Sequence, residues 1–128
     1  MHHSLTVIVP VHNQLEHLKV CCDIVLANFR NDYPDGQLIV VDMNSNDGTE
    51  AWLSGQSDIS YIAIEDEVCK SQAYNTALEY ANGEMVLFIN CDAYITDHTI
   101  SRLERDLYSK DDIAAVGPVS LKIFGYNA

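Results

Sequence analysis

Three short stretches place oxygen-bearing side chains where they could do chemistry. They are His12-Asn13 after "LTVIVP", the run Asp42, Asn44, Ser45 and Asp47 in "VVDMNSNDGT", and Asn90 with Asp92 in "FINCD". Hard oxygens at this density suit a divalent cation or the polar edge of a nucleotide. A calcium loop is the first candidate. Asp42, Asn44 and Asn46 fill its first, third and fifth positions, but Asp47 stands where the sharp turn needs Gly. Leu53 stands where a bidentate Glu must close the coordination, and an apolar strand rather than a helix comes before, so calcium is rejected. The chain has no G-x-x-x-x-G-K-[ST] and no G-x-G-x-x-G after its first apolar run. A phosphate-accepting receiver domain needs acidic residues after its first strand, where this chain has Val11-His12-Asn13. Asn13, Asp47 and Asp97 also read as helix caps, and for any one of them the cap outweighs a ligand contact. Asp92 is harder to set aside, because "AYIT" separates it from the next helical pattern.

The elements that must position these residues follow from periodicity. Leu5–Pro10 and Leu38–Val41 are continuous apolar runs rich in β-branched residues, the signature of strands buried on both faces. Tyr61–Ile64 and Met85–Ile89 read as a third and fourth strand, and Ala114–Val116, closed by Gly117-Pro118, as a fifth. Between them, Leu15, Leu18, Cys22, Val25, Leu26 and Phe29 recur at helical spacing behind Asn13 as cap, and "NDYPDG" ends that helix in a turn. A short helix starts near Asp47 and carries Trp52 and Leu53. Ser71 is expected to cap a helix with Ala73, Ala77, Leu78 and Ala81, stopped by a left-handed Asn82-Gly83. Asp97 is expected to cap one with Ile100, Leu103 and Leu107. Strands alternating with helices along the whole chain predict an α/β fold, a mostly parallel doubly wound sheet with helices on both faces. Ligands of such sheets bind outside the carboxyl ends of the strands, which is where the three polar stretches fall.

Composition narrows the partners. Nineteen acidic against seven basic residues give a formal charge of −12 over 128 residues. No basic stripe exists to replace nucleic-acid counterions, so nucleic acid is not a partner. A phosphate ligand on so acidic a protein calls for a bridging divalent cation. The four cysteines have no C-x-x-C pairing, and read as reduced, mostly buried thiols of a cytoplasmic protein. Adjacent Cys21 and Cys22 are not expected to face one core. No apolar run is long enough to span a membrane, so any contact with its cytoplasmic face falls to regions outside this chain. His2 and His3 are set aside as a terminal remnant.

Four blocks in order carry a family resemblance. "TVIVPVHN", "VVDMNSNDGTEAWL", "CKSQAYNTALEYANGEMVLFINCDAYIT" and "AAVGPVS" together resemble the nucleotide-sugar-binding half of family 2 glycosyltransferases, over about Leu5 to Ser120. The resemblance implies a Rossmann-like fold of GT-A type, with residues 1–128 as a single donor-binding domain that stops before the family's acceptor-binding region. It implies transfer of a sugar from a nucleoside-diphosphate sugar to a glycan or other hydroxyl acceptor, inverting and metal-dependent, in glycan or polysaccharide synthesis. The nucleotide site would comprise Pro10, Val11, His12, Asn13, Asp42, Asn44, Ser71, Asn75 and Asn90, with Asp42 on the base or ribose. Asp92 matches the last Asp of the family's D-x-D motif and would hold Mg2+ or Mn2+.

Several positions depart from the family pattern. Asn90 replaces the first Asp of D-x-D, His12 replaces an aromatic ring, Met43 replaces an Asp or Asn, Cys69 replaces Gly and Tyr74 replaces Arg. No residue can be assigned as the general base that an inverting transfer needs. These departures keep open a second reading, a non-catalytic nucleotide-sugar-binding or interaction module of the same fold.

Overall fold

The structure, a computed structural model, describes residues 2–66 and 68–118. Elements follow in the order β1 (Leu5–Val11), α1 (Leu15–Asp32), β2 (Gln37–Met43), α2 (Thr49–Ser54), β3 (Ser60–Ile64), α3 (Lys70–Leu78), β4 (Met85–Phe88) and α4 (Thr99–Leu107). The four strands form one sheet in the order β3-β2-β1-β4, with every pairing parallel. The expected doubly wound α/β architecture is what the chain forms.

Both faces of the sheet are covered, and strand alternation sorts the core in two. Leu5, Val7, Val9, Val11, Leu38 and Val40 point to the face packed by α1, Leu53 of α2 and Ile100 of α4. Ile8, Ile39, Val41 and Met43 point the other way, onto Ala73 and Ala77 of α3. The two alanines let α3 lie close to the sheet, as their size predicts. All seven residues of β1 are buried, which explains why "LTVIVPV" shows no polar alternation.

Pro10 sits in this central strand without breaking it. Ile8 accepts a hydrogen bond from the Ile89 N–H at 3.2 Å, so its edge faces β4. Residues two apart share an edge, so Pro10 presents its missing N–H to the same side. By then β4 has ended, since its pairing runs only from Leu5↔Met85 to Ile8↔Phe88. On the other side β2 continues to Val11↔Asp42.

Several local expectations are corrected. Asn13 has φ 53° and does not cap α1; the cap position is Gln14. The cap position of α3 is Cys69, which leaves Ser71 inside the first turn, and that of α4 is His98 at φ 66° rather than Asp97. Asn82 and Gly83 adopt no left-handed conformation. Gly83 answers a close approach instead: a Cβ there would lie 2.6 Å from the Thr6 nitrogen and 2.8 Å from the Leu5 carbonyl carbon. Its N–H donates to Thr6 Oγ1 at 3.0 Å, while that hydroxyl donates to Gln37 Oε1 at 2.7 Å, tying the starts of β1, β2 and β4 together. Ala114–Val116 is irregular and exposed rather than a strand, and the Val119 and Ser120 end of its block lies outside the described residues. Cys21 and Cys22 do share one core, at 1% and 0% exposure. Neighbours on a helix are about 100° apart, and α1 is roofed by the loop after β4 as well as floored by the sheet, so both thiols are covered.

His2 and His3 belong to the fold. The buried Glu104 carboxylate accepts from the His3 N–H (2.7 Å) and the Tyr33 hydroxyl (2.7 Å), and meets Nδ1 of His2 (2.6 Å) and of His3 (2.7 Å). Burial alone would raise this carboxyl, but those bonds outweigh it and bring it down to about 2.

Two outcomes follow. Gly83→Ala should cost about 2 kcal/mol, because fixed backbone atoms meet the new methyl, and a urea midpoint measures it. Glu104 has a folded pKa below its unfolded one. Its stabilisation is therefore complete above the ordinary carboxyl value of 4.5 and is lost as pH falls toward about 2. The urea midpoint of Glu104→Gln should show a weaker pH dependence across that window than that of the wild type.

Candidate functional site

The strand order fixes where a ligand can enter. The chain runs outward from β1 through β2 to β3, then returns to place β4 on the other side of β1. The carboxyl ends of β1 and β4 therefore diverge at a topological switch point. A cavity of about 470 Å3 opens there, lined by Pro10, Val11, His12, Gln14, Met43, Val68, Cys69, Lys70, Asn90, Cys91 and Asp92. Another cavity, of about 450 Å3, runs along the outer edge of β4 beside Phe88, Ile100, Leu103 and Leu107. Its walls are mostly apolar, with Glu84 and Glu104 as their charged residues, and Glu104 is already taken up by His2, His3 and Tyr33.

The loops after β1 and β2 are laced into one wall. His12 Nδ1 lies 2.6 Å from the Met43 carbonyl. A carbonyl cannot donate, so Nδ1 carries the proton of this bond. Asn13 donates its N–H to Ser45 Oγ (3.0 Å) and accepts from the Asn46 N–H at Oδ1 (2.7 Å). Both Asn13 and Asn44 hold left-handed backbone, at φ 53° and 51°, which short amide side chains tolerate. Gly48 holds φ 90° at the start of α2.

Asp47 is the cap that Asn13 is not. One oxygen accepts from the Leu15 N–H at 3.1 Å, an orphan donor of α1, although the two residues come from different loops. The other accepts from the Thr49 N–H at 3.2 Å and from the Thr49 hydroxyl. The Thr49 hydroxyl, then the Leu15 and Thr49 backbone bonds, hold this carboxyl below the usual range against a smaller opposing effect of burial.

The structure brings Pro10, Val11, His12, Asn90 and Asp92 to the cavity, and with them Met43. Asp42 is 2% exposed and is not part of that lining; its Oδ1 accepts from the Ser45 N–H at 3.2 Å and supports the loop from behind. Asn13 and Asn44 stand on the loops above the cavity wall. Ser71 and Asn75 are exposed on α3, outside the lining. Tyr74, at the family's Arg position, packs its ring 4.7 Å from that of Phe88.

Lys70 is the residue that reading for motifs missed. It opens α3, and its Nζ donates to Asn90 Oδ1 at 3.0 Å across the cavity. It is the only lysine or arginine among the described residues of the lining. The signal available was a lone cation in "VCKSQ" on a chain of net charge −12, placed at the start of a predicted helix.

The donor chemistry also tests whether a metal fits. Asp92 offers an exposed carboxylate and Asn90 an amide oxygen. No group of three or more His, Cys, Asp or Glu that could hold a metal occurs among the described residues. Mg2+ and Mn2+ accept such a sparse protein set when phosphate oxygens and water complete the shell, so the residues fit a cation that arrives with a diphosphate.

A parallel α/β sheet with a mixed polar and apolar cavity at its switch point defines the class of protein that binds a ligand at the carboxyl ends of its strands. Residues 6–125 match the profile described as "Glycosyl transferase family 2", and the chain belongs to that family. It is 34% identical over 95 residues to glycosyltransferase AglE of Haloferax volcanii, covering 69% of this chain and 30% of AglE. It resembles the mannosyltransferase PcManGT from Pyrobaculum calidifontis, solved in complex with GDP-Man and Mn2+ (TM-score 0.69, 29% identity, 79% of this chain and 31% of that one). It also resembles S. aureus TarS 1-349 in complex with UDP-GlcNAc (TM-score 0.64, 27% identity, 77% and 29%). The chain thus spans about a third of the length of these proteins. No helix among the described residues is long and apolar enough to cross a membrane.

Asp47→Ala should cost about 1 kcal/mol, the value of a lost cap, and the loss should fall on both α1 and α2. Amide exchange at Leu15 and Thr49 is the measurement. A rise at Thr49 alone would show that the bond to α1 carries no weight.

Proposed function

We propose that this chain is the donor-binding part of a glycosyltransferase, which moves a sugar from a nucleoside-diphosphate sugar to a hydroxyl acceptor such as a glycan. The carrying observation is the mixed lining of the switch-point cavity. Pro10, Val11, Met43 and Val68 bring apolar surface to it together with His12, and Lys70, Asn90 and Asp92 bring polar groups, Lys70 and Asn90 bonded to each other. A nucleoside suits the first set and a diphosphate the second. The relatives solved with GDP-Man and UDP-GlcNAc support this assignment.

In this reading Lys70 contacts the diphosphate by a charge-assisted hydrogen bond, releasing Asn90. Asp42 keeps the loop of Asn44 to Asp47 in place over the nucleoside, and Asn13 locks that loop to β1. Ser71 and Asn75 lie beyond the cavity on α3 and reach only the outer part of the donor. Asp92 would hold Mg2+ or Mn2+, which would supply Lewis-acid stabilisation of the diphosphate. Transfer with inversion needs a base on the acceptor side. Among the described lining residues only His12 and Asp92 are His, Asp or Glu, and both face the donor in this reading, so neither is assigned as that base.

Calorimetric titration with UDP, GDP and dTDP, each with and without Mn2+, tests the proposal. At least one should bind more tightly with the metal, and Asp92→Ala should remove that gain. Lys70→Ala should weaken binding about tenfold, the effect of one lost hydrogen bond to a charged group. Binding of none of the three, or a metal effect untouched in Asp92→Ala, defeats the reading.

A further inference from the structure

We infer that the first turn of α1 is a positioning clamp for the Asn90-Cys91-Asp92 turn: Gln14 and His17, acting through Cys91 and Tyr94, fix where Asp92 stands in the cavity. The inference rests on the donor-site reading above, because the position of Asp92 matters only if Asp92 meets the donor.

The need for a clamp comes from the sheet. The β1–β4 ladder ends at Ile8↔Phe88, and Ile89 makes one more bond to Ile8 at 3.2 Å. Pro10 then offers no N–H on that side, so the ladder loses its next donor where β4 ends. The turn closes locally through the Ala93 N–H to the Asn90 carbonyl at 3.0 Å, which shapes it but does not aim it.

Helix α1 does the aiming through three contacts. The Cys91 thiol donates to Gln14 Oε1 at 2.7 Å. His17 Nδ1 meets the Tyr94 hydroxyl at 2.7 Å. The Cys21 thiol lies 3.9 Å from the Asn90 carbonyl. Gln14 is itself fixed, since its carbonyl accepts the first helical bond of α1, from the Leu18 N–H at 2.9 Å. Cys91 is 5% exposed, whereas Asn90 and Asp92 on either side are exposed. The inward thiol is therefore a pivot, and fixing it decides which way the two flanking polar side chains face.

The plainer alternative is that Cys91 and Tyr94 only fill space. The two differ in whether the effect on binding runs through Asp92. The test compares wild type, Gln14→Ala/His17→Ala, Asp92→Ala and the triple variant in the full chain. Amide exchange at residues 89–95 needs no ligand, and should speed up at least tenfold in the double variant while the melting temperature holds. Titration with Mn2+ plus UDP or GDP should show roughly tenfold weaker binding in the double variant and no further loss on adding it to Asp92→Ala, the non-additivity of residues acting as one unit. Restoring a polar partner with His17→Gln in the Gln14 wild-type background should recover binding relative to His17→Ala. Unchanged exchange at 89–95, or an equal loss of affinity with and without Asp92, overturns the clamp and leaves the donor site standing. A wild type that binds neither nucleotide overturns the donor-site reading and the clamp's role in it, while the exchange data still report whether the contacts hold the turn.

Discussion

The two neighbours of β1 part company at Pro10, and the rest of the site depends on that divergence. Below it, β1 is a fully buried strand held on both edges. Above it, β2 continues to Val11↔Asp42 while β4 has left the ladder. A residue with an N–H at position 10 could support a longer β4 and narrow the crevice; proline removes that option at no local cost, because the partner strand is already absent. The opening is thus encoded in the backbone. Whatever binds there meets a gap flanked by strand ends and by the first turn of α3, which brings Lys70 to face Asn90.

A crevice made by absent pairing needs its walls held in other ways. On the β2 side the holding is by short polar side chains, with Asn13, Ser45 and Asp47 each bonding a backbone group of another residue in the two loops. These bonds satisfy amides that neither strand nor helix can satisfy. On the β4 side the holding is by thiols, an amide and a phenol reaching from and to α1. Burial pushes Cys21 up to about 12, so it acts as a small buried donor and not as a nucleophile. One helix therefore touches both walls: its first turn is capped by Asp47 and in turn steadies the Asp92 loop.

Much of this was legible in sequence because strands buried on both faces leave unbroken β-branched runs, and a parallel sheet puts their carboxyl ends on one edge. The order of elements and the polar stretches at the switch point followed from that. Cap assignments did not. A cap residue is recognised by standing just before a helix, and Asp47 caps α1 from across the site, 32 positions away. Asn13 stood in the right place but took a left-handed turn to bond the neighbouring loop. Gly83 looked like a helix stop because glycine permits φ > 0, yet its use is the absence of a Cβ against β1, a tertiary fact. Ala114–Val116 has strand-like residues but no paired neighbour among the described residues, and propensity without a partner does not make a strand. The contact of Asp42 with base or ribose is what the family resemblance implies; pleat alternation puts Asp42 on the face of Leu38 and Val40, and its neighbour Met43 is the one in the cavity lining.

Met43 and His12 are two of the departures from the family pattern, and they are joined. The ring of His12 is fixed by the carbonyl of Met43, a backbone group that any residue at 43 would supply. The side chain at 43 is thereby freed from holding the ring. A thioether at that place adds a polarizable, adaptable surface to the cavity wall, next to an imidazole whose orientation is already set. The substitution thus keeps the bond that sets the His12 ring while changing the surface that position 43 presents to the cavity.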